Sequence, residues 1–166
     1  PAAVSWNHYR RTRMIYEHFT STEIATIIHE LGYKAHIFRG EKFLWIESAS
    51  SGTRWTVRLI GTEPFFESMH LSISVWVKTD SLLWCNDWNS NHGWSSAHIE
   101  MAEEDDRPVA DSDGDFHIIV STTLNFEGGI TESHLTQCLN QWLAIVEEIV
   151  QIDDVILPAI PTFPKR

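Results

Sequence analysis

Residues 54–77 read RWTVRLIGTEPFFESMHLSISVWV, and this stretch decides the class of fold we expect. Apolar and polar residues alternate through Arg54–Ile60 and again through Leu71–Val77. A period of two predicts strands that each bury one face. The interval Gly61–Pro64 interrupts the alternation. Because so short a connection joins antiparallel neighbours, the stretch predicts a hairpin within an antiparallel sheet.

Helical periodicity appears on both sides of this hairpin. Thr20 and Glu23 have the spacing of a capping box before the first apolar stripe, and Gly32 follows that stripe as a stop signal. Thr131 precedes a longer stripe that continues to about Gln151. We therefore predict helices over residues 20–32, 80–93 and 131–151.

The remaining period-two segments complete the order of elements. Two predicted strands precede the hairpin, at 33–39 and 43–48, and two follow the second helix, at 95–101 and 115–124. The predicted order is α-β-β-β-β-α-β-β-α. Because the strands occur in adjacent pairs, the fold class is α+β, with one antiparallel sheet and helices packed largely on one face.

Chain length and charge limit the possible functions. The chain has 166 residues, which suits one domain. Twelve Lys and Arg oppose 23 Asp and Glu, for a net charge of −11. Phosphate backbones and anionic membrane surfaces repel such a protein, so neither nucleic acid nor membrane is an expected partner. No stretch approaches the roughly 18 apolar residues of a membrane span.

The two cysteines indicate a reducing compartment. Cys85 and Cys138 lie 53 residues apart, outside any CxxC motif or Cys/His cluster. Disulfide-stabilised secreted domains carry more cysteines than this. We found no signal-peptide pattern at the N-terminus. The expected location is therefore the cytoplasm, with both thiols buried and reduced.

The domain boundaries follow from changes in composition. Residues 1–19 are polar, carry three arginines close together, and are interpreted as an N-terminal arm. Residues 20–151 form a single α+β domain. Residues 152–166 are interpreted as an extended tail, because three prolines fall within its last ten residues. Its PxxP spacing leaves docking into a polyproline-binding groove as an alternative.

Motifs that would carry catalysis or bind a metal are weak. None of the nine histidines forms HExxH or HxH, and there is no GxSxG or GxGxxG. His98, His117 and Glu100 could meet across neighbouring strands and hold a metal, but partly buried strand histidines are more common. Asp111, Asp113 and Asp115 fit a solvated turn better than a calcium loop. We predict no catalytic, metal or cofactor residues, and no enzyme activity.

Eight tryptophans are several times the usual share. Tryptophan supplies a large buried area and is also enriched at interfaces. Most of the eight are expected to fill the core. The others would mark a surface that binds a partner.

Three stretches carry a family resemblance: TSTEIATIIHELGY (20–33), WCNDWNSNHGWSSAHIE (84–100) and FHIIVSTTLNFEGGITESHLTQCLNQWLAIVEEI (116–149). In this order they resemble the YbjN family, whose members are described as bacterial sensory transduction regulators. The resemblance covers about residues 20–150. It implies a fold like that of type III secretion chaperones, which are often dimeric and non-enzymatic.

Two roles remain open for the middle stretch. The amides and carboxylate of Asn86, Asp87 and Asn89 could cap the second helix and hold the following loop. Alternatively, the stretch could present a surface that binds a partner or ligand. The candidate residues for that surface are Trp84, Asn86, Trp88, Asn89 and Trp94.

Two functions are consistent with these observations. The first is a non-enzymatic, cytoplasmic protein-interaction module with a regulatory or chaperone-like role, an unidentified protein partner and a homodimeric assembly. Its working surface would be a sheet face or the second helix. The alternative is a small-molecule sensor with a pocket between sheet and helices, lined by Trp76, Trp84 and Trp88.

Overall fold

The computed structural model describes residues 15–41, 43–78, 80–101, 108–110 and 115–157. Its helices are α1 (Ser21–Glu30), α2 (Ser81–Asn91) and α3 (Glu132–Val150). Its strands are β1 (Ile15–Tyr16), β2 (Ala35–Arg39), β3 (Leu44–Ser50), β4 (Thr53–Thr62), β5 (Phe65–Val77), β6 (Ser96–Ile99), β7 (Phe116–Asn125), β8 (Ile130–Thr131) and β9 (Val155–Ile156). The predicted α+β class is confirmed.

One large antiparallel sheet dominates the molecule. Its strand order is β2-β3-β4-β5-β7-β6, and β9 pairs with the end of β5. The first four strands form the predicted meander. β6 precedes β7 in sequence, but in the sheet β7 lies between β5 and β6. β6 is therefore an edge strand, and it packs beside α2. A separate two-stranded ladder joins β1 to β8.

The β4–β5 hairpin is longer than the sequence pattern predicts. β4 continues to Thr62 and β5 begins at Phe65, with a register shift between Ile60 and Gly61. Gly61 has φ +122, and a Cβ there would lie 3.0 Å from the Glu67 backbone nitrogen. This bulge breaks the alternation without ending the strand, because one extra residue changes which face the next side chains occupy.

The helix boundaries follow from their caps. The Glu23 amide donates to Thr20 Oγ1 at 3.2 Å, and the Thr20 amide donates to Glu23 Oε2 at 2.8 Å, so the predicted capping box is present. Thr131 Oγ1 accepts from the His134 amide at 3.1 Å and starts α3. Each bond satisfies an amide that has no partner within the helix.

The helices and one side of the sheet form a single core. Buried side chains of α1, α2 and α3 belong to the same apolar cluster as those of β3, β4, β5 and β7. Trp55, Trp88 and Trp142 lie in this cluster. The other four described tryptophans are only partly buried, so fewer of them fill the core than the sequence predicts. The helices therefore cover one side of the sheet. Among the described residues, no helix or strand covers the other side, which we call the open face.

The segments on either side of residues 20–151 contribute to the fold. Phe19 is buried, and its ring centroid lies 5.0 Å from that of Phe126. Its backbone forms a β-bridge with Phe66. At the other end, Val155 pairs with Val77. The predicted arm and tail therefore reach into the packed body through residues 15–19 and 152–157. The rest of the arm, the rest of the tail and most of the acidic 103–115 loop lie outside the described residues.

Candidate interaction surfaces

Trp88 is the residue that holds α2 against the body of the protein. Its side chain is 4% exposed, and its Nε1 donates to Ser95 Oγ at 3.2 Å. The indole lies between two further rings, with centroids 5.4 Å from Trp84 and 3.7 Å from His92. His92 Nε2 lies 3.0 Å from Glu148 Oε1, which joins α2 to α3. Trp88 is therefore unavailable to a partner in this conformation.

Asn89 occupies the outer edge of β6. Its Nδ2 donates to the Ala97 carbonyl at 2.9 Å, and its Oδ1 accepts from the Ala97 amide at 2.7 Å. One amide thus satisfies both backbone groups that Ala97 turns away from β7. Because an unpaired edge can recruit another strand, this contact also protects the sheet edge. The side chain of Asn89 therefore holds the following strand, β6, and makes no bond that caps α2 among the described contacts.

Replacing Asn89 by alanine is expected to lower the free energy of unfolding by about 1–3 kcal/mol, because two partly buried backbone groups lose their partner. Urea denaturation followed by circular dichroism measures this loss. Asn86→Ala is the matched control on the same helix: Asn86 is exposed, and its replacement should change stability by less than about 0.5 kcal/mol. Equal effects of the two variants would contradict the assigned role.

The other candidate residues are more accessible. Asn86 is exposed, while Trp84 and Trp94 are half-buried. The Trp94 carbonyl accepts from Thr122 Oγ1 at 2.7 Å, which holds the loop against β7. Leu82, which shares the stripe of Cys85 in the sequence pattern, is 64% exposed, and Leu83 is 58% exposed. The first turn of α2 therefore presents two adjacent leucines to solvent.

The three tryptophans expected to line the sensor pocket do not meet in a common pocket within the described part of the chain. Three clefts lined by described residues, of about 420, 300 and 530 Å³, include none of Trp76, Trp84 and Trp88. Trp76 pairs with His117 on the open face, whereas Trp88 belongs to the core on the helix side. The sheet separates residues that the hypothesis brings together.

The histidines predicted to meet across strands do not form a metal site. His117 Nδ1 contacts Glu100 Oε2, and its ring lies 4.6 Å from that of Trp76. His98 pairs instead with Ile119. Within the described ranges, no group of three or more His, Cys, Asp or Glu residues could hold a metal ion. The Asp111 and Asp113 positions lie outside those ranges.

Both cysteines are free and buried. Burial raises the pKa of the Cys85 thiol and of the Cys138 thiol. Because the thiolate is the reactive form, both positions are poor nucleophiles near neutral pH.

The open face combines hydroxyl, imidazole, aromatic and guanidinium groups. The strand registers place its side chains as follows: His36, Phe38, Trp45, Glu47, Ala49, Arg54, Thr56, Arg58, Ile60, Ser68, His70, Ser72, Ser74, Trp76, His117, Ile119, Ser121, Thr123, Asn125, Ser96 and His98. Glu100 adjoins this set through His117. The alternation predicts the polar character of these positions, but it does not indicate that no described helix or strand packs over them.

His70 lies near the centre of the open face. Burial first, then Arg58 and then His98, lower the pKa of His70 below its ordinary 6.5. The unfolded chain therefore binds the proton more readily than the folded chain. The contribution of His70 to stability is complete above a pH of about 6.5 and is lost as pH falls towards the lowered pKa.

His70→Gln is expected to reduce the loss of stability on acidification. Glutamine can still contact Thr123 Oγ1, which lies 3.0 Å from His70 Nδ1. Between about pH 7.5 and about pH 5, the free energy of unfolding of the wild type should fall more steeply than that of the variant. Denaturation at a series of pH values measures both slopes. Parallel curves would show that His70 titrates alike in both states.

Comparison with known proteins supports the family resemblance. The model of the YbjN family, described as "Putative bacterial sensory transduction regulator", matches residues 20–151. A solved structure, "Crystal structure of YbjN, a putative transcription regulator from E. coli", is similar at a TM-score of 0.50 and 13% identity. That similarity covers 80% of this chain and 92% of the other, and it concerns the fold alone. No match is found among curated proteins.

None of the described helices is long and apolar enough to cross a membrane. The family match spans well over half of the chain and coincides with the segment that carries α1, the main strands, α2 and α3. The chain therefore belongs to the YbjN family.

Proposed function

We propose that this protein is a non-enzymatic, cytoplasmic regulator that binds a protein partner through the open face of its sheet. One observation carries the proposal: six strands present a broad face that the described helices leave uncovered, although it contains Trp45 and Trp76. Broad exposed surfaces with aromatic side chains are typical of interaction sites.

The family and the charge are consistent with this proposal. The family is described as regulatory. A net charge of −11 opposes direct contact with nucleic acid, so a regulator of this charge is better suited to acting through a protein. The raised pKa values of Cys85 and Cys138 are unfavourable for thiol catalysis.

Site-specific photo-crosslinking in cells tests the proposal. A photoreactive residue at Thr56 or Ser72, which bond to each other at 2.8 Å on the open face, should capture a defined protein. The same residue at Glu147, an exposed position of α3, is the control and should not capture it. Capture from every position alike, or from none on the open face, would reject this surface as the partner site.

The proposal includes a homodimer formed through the first turn of α2. Leu82 and Leu83 are the exposed pair there, and two copies of one apolar patch can pair around a two-fold axis. Light scattering after size exclusion should give about 38 kDa, twice the 19.1 kDa of the chain. Leu82→Ser combined with Leu83→Ser should restore the monomer mass. A monomeric wild type would reject the dimer but leave the open-face proposal intact.

A further inference from the structure

Arg58 is a cation on the open face that has no acidic partner among the described residues. Its guanidinium carbon lies 3.6 Å from the centroid of the Phe43 ring, which positions the group by a cation–π contact. Among the residues that the structure describes, no carboxylate forms an ion pair with Arg58. The side chain is exposed, so its hydrogen-bond donors can reach a ligand.

The two carboxylates of the open face are already engaged. Glu47 Oε2 lies 3.6 Å from the Arg54 guanidinium nitrogen Nη1, and Glu47 Oε1 accepts from Trp45 Nε1 at 3.2 Å. Glu100 contacts His117. The face therefore carries two arginines and two glutamates, a formal charge of zero, while the whole chain carries −11. Among the described residues, the open face therefore adds no net charge that would repel a carboxylate.

The neighbours of Arg58 suit an extended peptide. Arg58 pairs across the sheet with Trp45 on β3 and with His70 on β5. His70 pairs in turn with Thr123 on β7. Six strands at about 4.8 Å spacing make the face about 24 Å wide, which an extended segment of about seven residues crosses. The cleft beside Arg58 also contains Glu41 and Glu63, which disfavours a small anion confined there.

We propose that the open face binds an extended peptide segment rich in aspartate and glutamate, with one carboxylate held by the Arg58 guanidinium. Arginine presents a planar fork of donors that matches a carboxylate. The apolar surface of Trp45, directly opposite Arg58 on β3, then contacts a side chain next to the bound acidic residue. This inference rests on the proposed function and specifies the chemistry of the partner.

Binding of synthetic peptides tests the proposal with the full chain. The probe is a fluorescein-labelled peptide of about ten residues with alternating glutamate and threonine, compared with its glutamine counterpart by fluorescence anisotropy. The acidic peptide should bind the wild type at least about tenfold more tightly, and added salt should weaken it because the contact is exposed. Equal affinity for the two peptides, or no binding of either, would overturn the proposal.

Two variants make the test specific. Arg58→Gln should reduce affinity for the acidic peptide about tenfold, to the level of the glutamine peptide. Lys78→Gln is the charge-matched control: Lys78 is exposed and follows the end of β5, far from the His70 position that pairs with Arg58, so the affinity should stay unchanged. Circular dichroism and the unfolding midpoint show whether both variants fold. An unchanged affinity of folded Arg58→Gln, or an equal loss in both variants, would overturn the assignment.

The peptide result and the crosslinking result are independent. Crosslinking from Thr56 or Ser72 to a defined protein, without preference for the acidic peptide, would leave the proposed function standing and reject the acidic-segment inference. A preference for the acidic peptide that disappears in Arg58→Gln would support the inference. If no partner then crosslinks from the open face in cells, the proposed function fails while the anion-binding property of the face remains.

Discussion

Trp142→Ala is expected to lower the free energy of unfolding by about 3–5 kcal/mol, the range observed when a large buried aromatic side chain is truncated. Trp142 is 0% exposed and lies in the middle of the buried stripe of α3. Because a folded domain is stable by only about 5–15 kcal/mol, this loss is a large fraction of the stability of the protein. Urea denaturation followed by far-ultraviolet circular dichroism measures the change.

Trp142→Phe separates the packing of the ring from its hydrogen bonding. Trp142 Nε1 is buried and has no hydrogen-bond partner among the described residues. Phenylalanine keeps most of the apolar contact and removes a donor whose burial is costly. Its cost should therefore stay below about 1.5 kcal/mol. A loss as large as that of Trp142→Ala would show that the indole N–H contributes a bond of its own.

Trp88→Ala is expected to have the second largest effect, about 3–5 kcal/mol, and to loosen α2 selectively. The buried residues of α2 are Ser81, Cys85 and Trp88, and Trp88 is the largest of them. Its removal takes away the bond to Ser95 and the ring contact with His92. Hydrogen exchange should show faster exchange of the amides of residues 81–91 than of those in β5, because local opening of α2 becomes easier.

Leu83→Ala provides the control on the same helix. Leu83 is exposed, so its truncation should change stability by less than about 0.5 kcal/mol under conditions where the protein is monomeric. If Trp88→Ala accelerates exchange equally in α2 and β5, then α2 is not an independently opening unit. If Leu83→Ala matches Trp88→Ala, the assignment of Trp88 as the main anchor of α2 is wrong.

Local patterns were sufficient for the class of fold. The alternation in Arg54–Ile60 and Leu71–Val77 follows from the pleat of a strand, and the capping box at Thr20 and Glu23 follows from the geometry of a helix terminus. Both signals arise between residues close in sequence, so they are visible without the fold. The resemblance across residues 20–150 was likewise carried by the order of such local motifs.

The sites depend on contacts between distant residues. Asn89 was a candidate for either capping or recognition, and its bonds to Ala97 became evident only once α2 lay against β6. Leu82 shares a helical stripe with Cys85 but is exposed, because the body of the protein covers only part of that stripe. Sequence periodicity gives the direction of a side chain relative to its own element and does not show how far a neighbouring element extends.

For this protein, the amino-acid sequence determined the α+β class, the order of the helices and main strands between residues 20 and 151, the helix starts and the membership of the YbjN family, but not the short strand β8. The tertiary structure determined that β7 lies between β5 and β6, that β9 extends the sheet, and that the described helices and strands leave one sheet face uncovered. It also showed that Arg58 lies on that face and forms no ion pair with a carboxylate of the described residues. Backbone periodicity is a local property, whereas strand order, coverage of a face and charge pairing arise only when remote segments meet.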